Sequence, residues 1–454
     1  MILTRTIAVI IIYIAFAINS SSGQSTILEN YVQQALKDNL SLRQNDLNIE
    51  KQLSLIQQAN KLWDPQLNMN ASYLLARGGR VIIFPIGDLF NPTYEAINRI
   101  SGTNSFPTDL DNEEIQLTPN NFLDAQLSLS KPLINSNIKF NQKIQQEILK
   151  LKSLDKELSK REIVYQVKTA YYNLLKSHQA EKILGENQSL LSELLEFNKT
   201  LVKYDKATTE IISDVKYQLS SLEQQFASIY EQKVIDKCYF NLLLNRPLEM
   251  TVVIDSSIVE SSRIIENSLS DYVSQAQSQR TEFNQVNTAS TINLLNRERI
   301  DGEKKPILGV TAGVGYQSED FNFDLGGPLY TLGLGMSWNI IDGGLRKEKI
   351  QELIVDQNII DNNMNQLSQQ IELEVTQAYY GLLSIKSQLI AQEAGIKSAT
   401  DSYNKVKTRY ENDRALLIEL LQSQTQLISA KLTRVLTQFE YLGQMALLEK
   451  QTSY

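Results

Sequence analysis

Four short segments of the chain alternate strictly between apolar residues and small or polar residues. In QLNMNASYL, residues 66–74, the apolar Leu67, Met69, Ala71 and Tyr73 alternate with Gln, Asn or Ser. The same pattern returns in residues 122–131, 307–317 and 329–338. A period of two predicts β-strands with one apolar and one polar face. Each segment is also about as long as the 9–11 residues that a tilted strand needs to cross a bilayer.

Long helices are predicted around these strands. No proline lies between Pro132 and Pro247, and none follows Pro328. Apolar residues recur at helical spacing in both stretches, which favours helix over strand. A helix from about Asn135 to Tyr204 would be roughly 100 Å long at about 1.5 Å per residue. Helices of that length need lengthwise partners, so the sequence predicts a mainly α chain of packed long helices.

The chain contains an internal duplication. The pattern Ala-Tyr-Tyr-x-Leu-Leu occurs at 170–175 and again at 378–383, a separation of 208 residues. ENYVQQA, which begins at residue 29, matches SDYVSQA at a separation of 241, whereas PLIN matches NIID at 207. The difference of 34 (241 − 207) indicates an insertion after the first strand of the first repeat. Both repeats therefore have the predicted order helix, strand, strand, helix, helix.

These observations divide the chain into four predicted regions. Residues 1–23 have an arginine, an apolar run and then small polar residues, which is typical of a secretory signal peptide; a retained membrane anchor is the alternative. The first repeat covers 24–246, with a long loop at 75–121. A linker covers 247–267, and the second repeat covers 268–454.

Composition argues against an enzyme and against nucleic-acid binding. The chain has one histidine, His178, and one cysteine, Cys238, so zinc sites, histidine-based triads and internal disulfides have no basis. No glycine-rich phosphate-binding signature is present. The net charge is −8 and no basic stripe is seen. We expect no cofactor and no metal site.

The alternating strands favour a transmembrane β-barrel. A half-buried soluble sheet has the same alternation, but four strands of bilayer length in a secreted chain favour the barrel. Four strands cannot close alone, because lipid does not tolerate unpaired strand edges. Two chains would supply eight strands and three would supply twelve with an open lumen. Four aromatic residues would suit the membrane interfaces: Tyr73, Tyr316, Tyr330 and Trp338.

In this ordered set of features the sequence resembles the TolC family of outer-membrane efflux proteins. The two AYYxLL helices and the segments KYDKATTEIISDV and RYENDRALLIELL carry the resemblance, which spans essentially the whole mature chain. It implies a homotrimer with a twelve-stranded barrel, four strands per chain, in the outer membrane of a Gram-negative bacterium. A long α-helical barrel would continue it through the periplasm. The loop 75–121 would then be extracellular and the 247–267 linker equatorial.

The same resemblance implies a passive exit duct for efflux or type I secretion. Such a duct docks on a periplasmic adaptor protein and an inner-membrane pump, with outer-membrane lipid around its barrel. The adaptor-contacting tips would be the turns Lys206, Ala207, Thr208, Thr209 and Asn412, Asp413, Arg414, Ala415, each following a tyrosine. The periplasmic gate would be lined by Asp214, Glu419 and Gln422.

Neither expected tip contains a glycine. Asn412 or Asp413 could take positive φ in the second turn, whereas residues 206–209 offer no Asx residue for the first. The alternative function is a periplasmic coiled-coil structural or adaptor protein. That alternative explains the helices but leaves the four alternating strands unexplained.

Overall fold

The computed structural model describes residues 26–117, 120–255, 267–318 and 328–452. The expected signal peptide, most of the second-repeat loop between the strands and most of the 247–267 linker lie outside these residues. The described chain is mainly helical, with a small antiparallel sheet. Its helices are α1 (Thr26–Asp38), α2 (Leu40–Lys61), α3 (Ile86–Ser101), α4 (Ser136–Lys203), α5 (Glu210–Leu243), α6 (Leu269–Gln279), α7 (Thr281–Gly302), α8 (Leu345–Glu411) and α9 (Leu417–Thr452).

These elements form two compact units. The first unit contains the described parts of Met1–Leu53, Glu147–Asn293 and Val355–Tyr454. The second contains the described parts of Ser54–Gln146 and Leu294–Ile354. The core of the first unit is formed by apolar residues of its helices, among them the fully buried Tyr171 and Phe240.

The second unit contains the main sheet. Its strands are β1 (Gln66–Leu75), β4 (Asn121–Ile134), β5 (Ile307–Ser318) and β6 (Pro328–Ser337), in the order β1-β4-β5-β6 with every pair antiparallel. The inner pair, β4 and β5, joins the two repeats through an uninterrupted register until a shift between Pro132 and Ile134. The outer strands β1 and β6 are the edges of the sheet in a single chain.

The insertion between β1 and β4 is folded. It contains a second, two-stranded sheet, β2 (Val81–Phe84) with β3 (Glu113–Gln116), and the helix α3 between them. The aromatic residues in this loop suggest a short helix around residues 94–100. That expectation is too short, because α3 begins at Ile86 and contains Pro92 in its second turn.

The duplication is visible in the tertiary contacts. Tyr31 contacts Tyr171 in the first repeat with ring centroids 6.0 Å apart and planes at 47°. The equivalent Tyr272 and Tyr379 are 6.1 Å apart at 52°. Each strand-to-helix junction is also capped in the same way, because Asn135 Oδ1 accepts from the Asn137 amide and Asp342 Oδ1 accepts from the Gly344 amide.

None of the helices in the described ranges combines the length and the apolarity that a membrane span requires.

Candidate functional site

One face of the main sheet is apolar and open. The register brings Met69, Leu127, Val314 and Tyr330 into one row across the four strands, and the next row contains Leu332. Met69 is 73% exposed and Leu332 is 82% exposed. A soluble half-buried sheet would cover this face, because burial of apolar area is what stabilises such a sheet.

The opposite face of the sheet is small and polar. The row behind the apolar one aligns Asn68, Ser128, Gly313 and Thr331. A Cβ atom built on Gly313 would lie 2.7 Å from Thr331 Oγ1 and 3.0 Å from the Gln126 amide nitrogen. Glycine therefore lets these polar side chains approach the strand closely. The sheet is two-faced along its whole width, with apolar and polar sides in the pattern that the sequence predicts.

The four predicted interface aromatics fall at the two ends of the strands. Tyr73, Tyr316 and Tyr330 lie toward the end that carries the insertion, whereas Trp338 follows β6 at the other end. Trp338 Nε1 donates to the Lys304 carbonyl at 2.9 Å. The eight residue-to-residue steps from Tyr330 to Trp338 span about 26 Å at about 3.3 Å per step, close to the ~25 Å apolar band of membrane barrels.

The expected tips are both turns at helix ends in the first unit. Lys206, Ala207, Thr208 and Thr209 lie between α4 and α5, and Asn412, Asp413, Arg414 and Ala415 lie between α8 and α9. Both turns have the same hydrogen bonds. Lys206 N donates to Leu201 O at 2.9 Å in the first, and Arg414 N donates to Arg409 O at 2.7 Å in the second. These are Schellman motifs, which require a left-handed residue just before the donor.

Aspartate provides the left-handed residue in both turns. Asp413 has φ +56° and Asp205 has φ +53°. The expectation that the first turn contains no Asx residue was therefore wrong, because the turn begins one residue earlier than the expected tip. Asp205 and Asp413 are 208 residues apart, the same separation as the AYYxLL motifs, so they are the equivalent positions of the two repeats.

This equivalence corrects the alignment of the two tyrosines. Matching the turns at Asp205 and Asp413 pairs Tyr410 with Val202 and leaves Tyr204 without an aromatic counterpart. Tyr204 is 67% exposed, whereas Tyr410 is 8% exposed. The Tyr410 hydroxyl donates to Asn198 Oδ1 at 2.6 Å, and its ring contacts Phe197. Tyr410 is a core residue that fixes the second turn, and Tyr204 is a surface residue.

The three expected gate residues lie near the starts of α5 and α9. Asp214 and Gln422 are equivalent at the separation of 208, and both are exposed. Glu419 is the counterpart of Ile211 and is half-buried. Its carboxylate lies 3.6 Å from an Arg409 guanidinium nitrogen, and that arginine also donates to the Arg414 carbonyl at 3.0 Å. The sequence reasoning missed Arg409, although its charge five residues before Arg414 was available as a signal.

A buried ion cluster holds the helix break between α6 and α7. Arg280 donates to Glu374 at 2.9 Å, to Gln451 at 2.7 Å and to Glu282 at 2.7 Å. Arg161 also pairs with Glu282. Burial acts to raise the pKa of Glu282, but hydrogen bonds from Arg280 and Arg161 outweigh it and lower that pKa to about 2. The cluster lines a cavity of about 800 Å³ in the first unit.

The start of the linker is held by two tyrosine hydroxyls. The Val253 amide donates to the Tyr31 hydroxyl at 2.9 Å, and the Asp255 amide donates to the Tyr171 hydroxyl at 2.9 Å. Tyr171 in turn donates to the Val253 carbonyl at 3.3 Å. Burial raises the pKa of Tyr171 to about 12, so its hydroxyl stays protonated and can make this bond at any physiological pH.

Within the described residues, no group of three or more His, Cys, Asp or Glu side chains is arranged to hold a metal ion.

Comparison with known proteins agrees with this geometry. Residues 303–450, most of the second repeat, match the family model described as outer membrane efflux protein. No curated protein matches the chain.

The fold is shared with solved outer-membrane channels. The structure of CusC, from work on its folding and transmembrane channel formation, is 14% identical with a TM-score of 0.74, covering 95% of each chain. The CmeC outer membrane channel of Campylobacter jejuni is 15% identical with a TM-score of 0.70, covering 94% of this chain and 85% of that one. The open state of the Neisseria gonorrhoeae MtrE channel is 14% identical with a TM-score of 0.71, covering 96% and 94%.

The family match is confined to residues 303–450, whereas the shared fold extends over nearly the whole length of the chain. Over residues 303–450 the chain is similar to the outer membrane efflux proteins, and over nearly its whole length it has the fold of solved outer-membrane channels.

Proposed function

We propose that the protein is a passive exit duct of the outer membrane, built from three copies of the chain. The observation that carries this proposal is the open apolar face of the main sheet together with its two free edges, β1 and β6. Pairing β6 of one copy with β1 of the next closes a twelve-stranded barrel and removes the free edges that lipid would not tolerate. A soluble coiled-coil scaffold leaves this face without a purpose.

In this duct the polar face of the sheet lines the lumen and the long helices continue it as an α-helical barrel. The turns around Asp205 and Asp413 are the tips that contact a periplasmic adaptor, which connects the duct to an inner-membrane pump. The family match supports these assignments, since it is a family of efflux channels and not of enzymes. The N-terminal segment directs export, and the cell is Gram-negative.

The native mass of the detergent-extracted particle tests the assembly. We expect three mature chains, extraction only with detergent, and ion conductance after reconstitution in a planar bilayer. A monodisperse monomer or dimer that stays in solution without detergent would contradict the barrel and favour the periplasmic scaffold.

The gate assignment is tested separately by ion selectivity. Threefold symmetry would make a ring of three carboxylates from Asp214, which favours cations at the narrowest point. We expect Asp214→Asn combined with Glu419→Ala to shift the reversal potential in a KCl gradient toward zero. Arg409→Gln should shift it the other way, because it removes the cation beside Glu419. Glu223→Gln, further along α5, is the control. Unchanged ion selectivity in this double variant would exclude both Asp214 and Glu419 from the gate.

A further inference from the structure

The insertion, defined here as residues 77–117, is a built unit held together by polar contacts. Asn91 donates from Nδ2 to the Leu110 carbonyl at 2.8 Å and accepts from the Leu110 amide at 2.8 Å. Asn98 makes the same pair of bonds with Phe106, at 2.7 and 3.0 Å. Seven residues separate the two asparagines, so they lie on one face of α3 two turns apart. Together they fasten the chain after α3 back along the helix.

Two more contacts close this arrangement. Asn112 donates to Asp88 Oδ2 at 2.9 Å, and the Asp88 amide donates to Asn112 Oδ1 at 3.1 Å. A Cβ atom on Gly87 would lie 2.1 Å from the Leu110 carbonyl oxygen, so only glycine lets the segment after α3 approach the helix this closely. The insertion is therefore ordered by these hydrogen bonds and by the ring contacts of Tyr94 with Phe90 and Phe106, at centroid distances of 5.6 and 5.4 Å.

The apolar side chains of the insertion lie on its outside. Only Gly87 and Asn98 are buried among residues 77–117, all of which the structure describes. Ile100 is 85% exposed, and all four residues of β2, Val81–Phe84, are exposed. A unit that leaves most of its large apolar side chains exposed lacks the core of a globular domain, and exposed apolar area of this kind marks an interaction surface.

The position of the hairpin β2–β3 indicates what covers that surface. The hairpin continues the ladder of β1 and β4, because the Ala76 amide donates to the Asn120 carbonyl and the Leu117 amide donates to the Arg80 carbonyl. Since β1 is an edge strand of the main sheet, β2 follows directly from the strand that the next copy must join. A two-stranded hairpin with both faces open is marginal alone and needs further packing.

Charge distinguishes a protein partner from lipid. Glu113 and Glu114 are opposite Phe84 and Ile83, so each face of the hairpin carries one carboxylate beside apolar side chains. Carboxylates and free strand edges are unfavourable in hydrocarbon, but a protein surface can satisfy both. We propose that the insertion packs against the insertion of the neighbouring copy, so that three insertions form a cap at the mouth of the duct. This inference rests on the trimeric duct proposed above.

Site-specific photo-crosslinking in the intact protein tests the cap. A benzophenone side chain replaces Ile83 or Ile100 in separate variants, with Asn104, an exposed polar position just after α3, as the matched control. Irradiation of native outer membranes should give a product of two chains from positions 83 and 100, whose crosslinked peptide maps to residues 77–117 of the other copy. Benzophenone at position 104 should give no product of two chains.

The alternative results are distinct. Crosslinks from positions 83 and 100 to lipid alone, or no crosslink in a particle that has the mass of three chains, would overturn the cap and leave the duct intact. A particle without that mass would overturn the proposed duct itself. As an independent measurement, Ile83→Asn with Ile100→Asn should raise the channel conductance, whereas Asn104→Ala should leave it unchanged; equal conductance in both variants would also overturn the cap.

Discussion

At the scale of single residues, two aspartates determine where the long helices reverse direction. Asp205 and Asp413 adopt left-handed backbone conformations that cost roughly 1–2 kcal/mol for most L-residues and less for Asx. Each lets the following amide satisfy a carbonyl left open at the helix end. The same device recurs at Asn245 (φ +50°), which ends α5. Short polar side chains here do what glycine commonly does.

We predict that Asp413→Val loosens the second turn while Asp413→Gly does not. Valine is β-branched and strained at positive φ, whereas glycine is not. A cost of roughly 1–2 kcal/mol would speed amide exchange at Arg414 about five- to thirtyfold, as measured by hydrogen–deuterium exchange of the 409–416 peptide. Similar exchange in the two variants would show that packing, and not the backbone of this residue, holds the turn.

At the scale of elements, the two repeats solve the same helix break differently. Asn39 ends α1 and Arg280 ends α6, and the two are equivalent at the separation of 241. Asn39 makes neutral hydrogen bonds, since its Oδ1 accepts from the Ser41 amide and its Nδ2 donates to the Leu243 carbonyl at the end of α5. Arg280 instead binds side chains of α7, α8 and α9. The second break therefore depends on ion pairs, whereas the first depends on neutral hydrogen bonds.

Arg280→Ala should destabilise the protein by roughly 3–5 kcal/mol, the range for removing one partner of a buried ion pair. Urea unfolding of the detergent-solubilised protein, followed by circular dichroism, measures the change. Asn39→Ala is the matched variant at the other break and should cost about 1 kcal/mol, because it loses a neutral cap. Equal losses at both breaks would contradict a special role for the ion cluster.

The same cluster predicts a loss of stability in acid. Since the pKa of Glu282 is about 2 in the folded chain and lies near its ordinary value of 4.5 in the unfolded chain, this carboxylate stabilises the fold above about pH 4.5. Its contribution is lost as pH falls from there toward 2. We expect Glu282→Gln to be less stable than the natural protein at pH 7 and to show a weaker dependence on pH below 4.5. If the free energy of unfolding depended on pH in the same way in both proteins, the proposed role of Glu282 would be refuted.

At the scale of the whole molecule, the main sheet decides where the chain can reside. Its apolar face is exposed in every strand, and its edges are free at β1 and β6. A chain with such a sheet is incomplete in water, because both the face and the edges favour association. Oligomerisation in a bilayer satisfies both at once.

Adjacent residues of β6 provide a direct test. Leu332 lies on the apolar face and Thr331 on the polar face, both near the middle of the strand. Leu332→Lys should reduce the yield of assembled trimer, because a lysine facing lipid at mid-depth costs about 2–4 kcal/mol per chain. Thr331→Lys should assemble normally and shift ion selectivity toward anions. If the two variants assemble equally well, the apolar face does not contact lipid.

Much of the architecture could be predicted because the spacing of apolar residues along the chain indicates each type of element. Strands and helices differ in their period, two against 3.6, so the pattern around QLNMNASYL and the long stretch before Tyr204 each indicate one type of element. The repeats are visible because equivalent tyrosines keep their spacing. The turns expected to be the tips could be placed only to within a few residues, since matching Tyr204 with Tyr410 gave the wrong alignment of the two repeats.

By itself the sequence determined the elements, their duplication and the two faces of each strand, because these depend on residues close together in the chain. Only the tertiary structure decided the strand order β1-β4-β5-β6 and the partners of Arg280. It also decided the pairing of Glu419 with Arg409 and the hydrogen bond between Asn91 and Leu110 in the insertion. These features join residues of different elements, which lie far apart in the sequence or on the two sides of a turn. Packing and register set such contacts, and no local period encodes them.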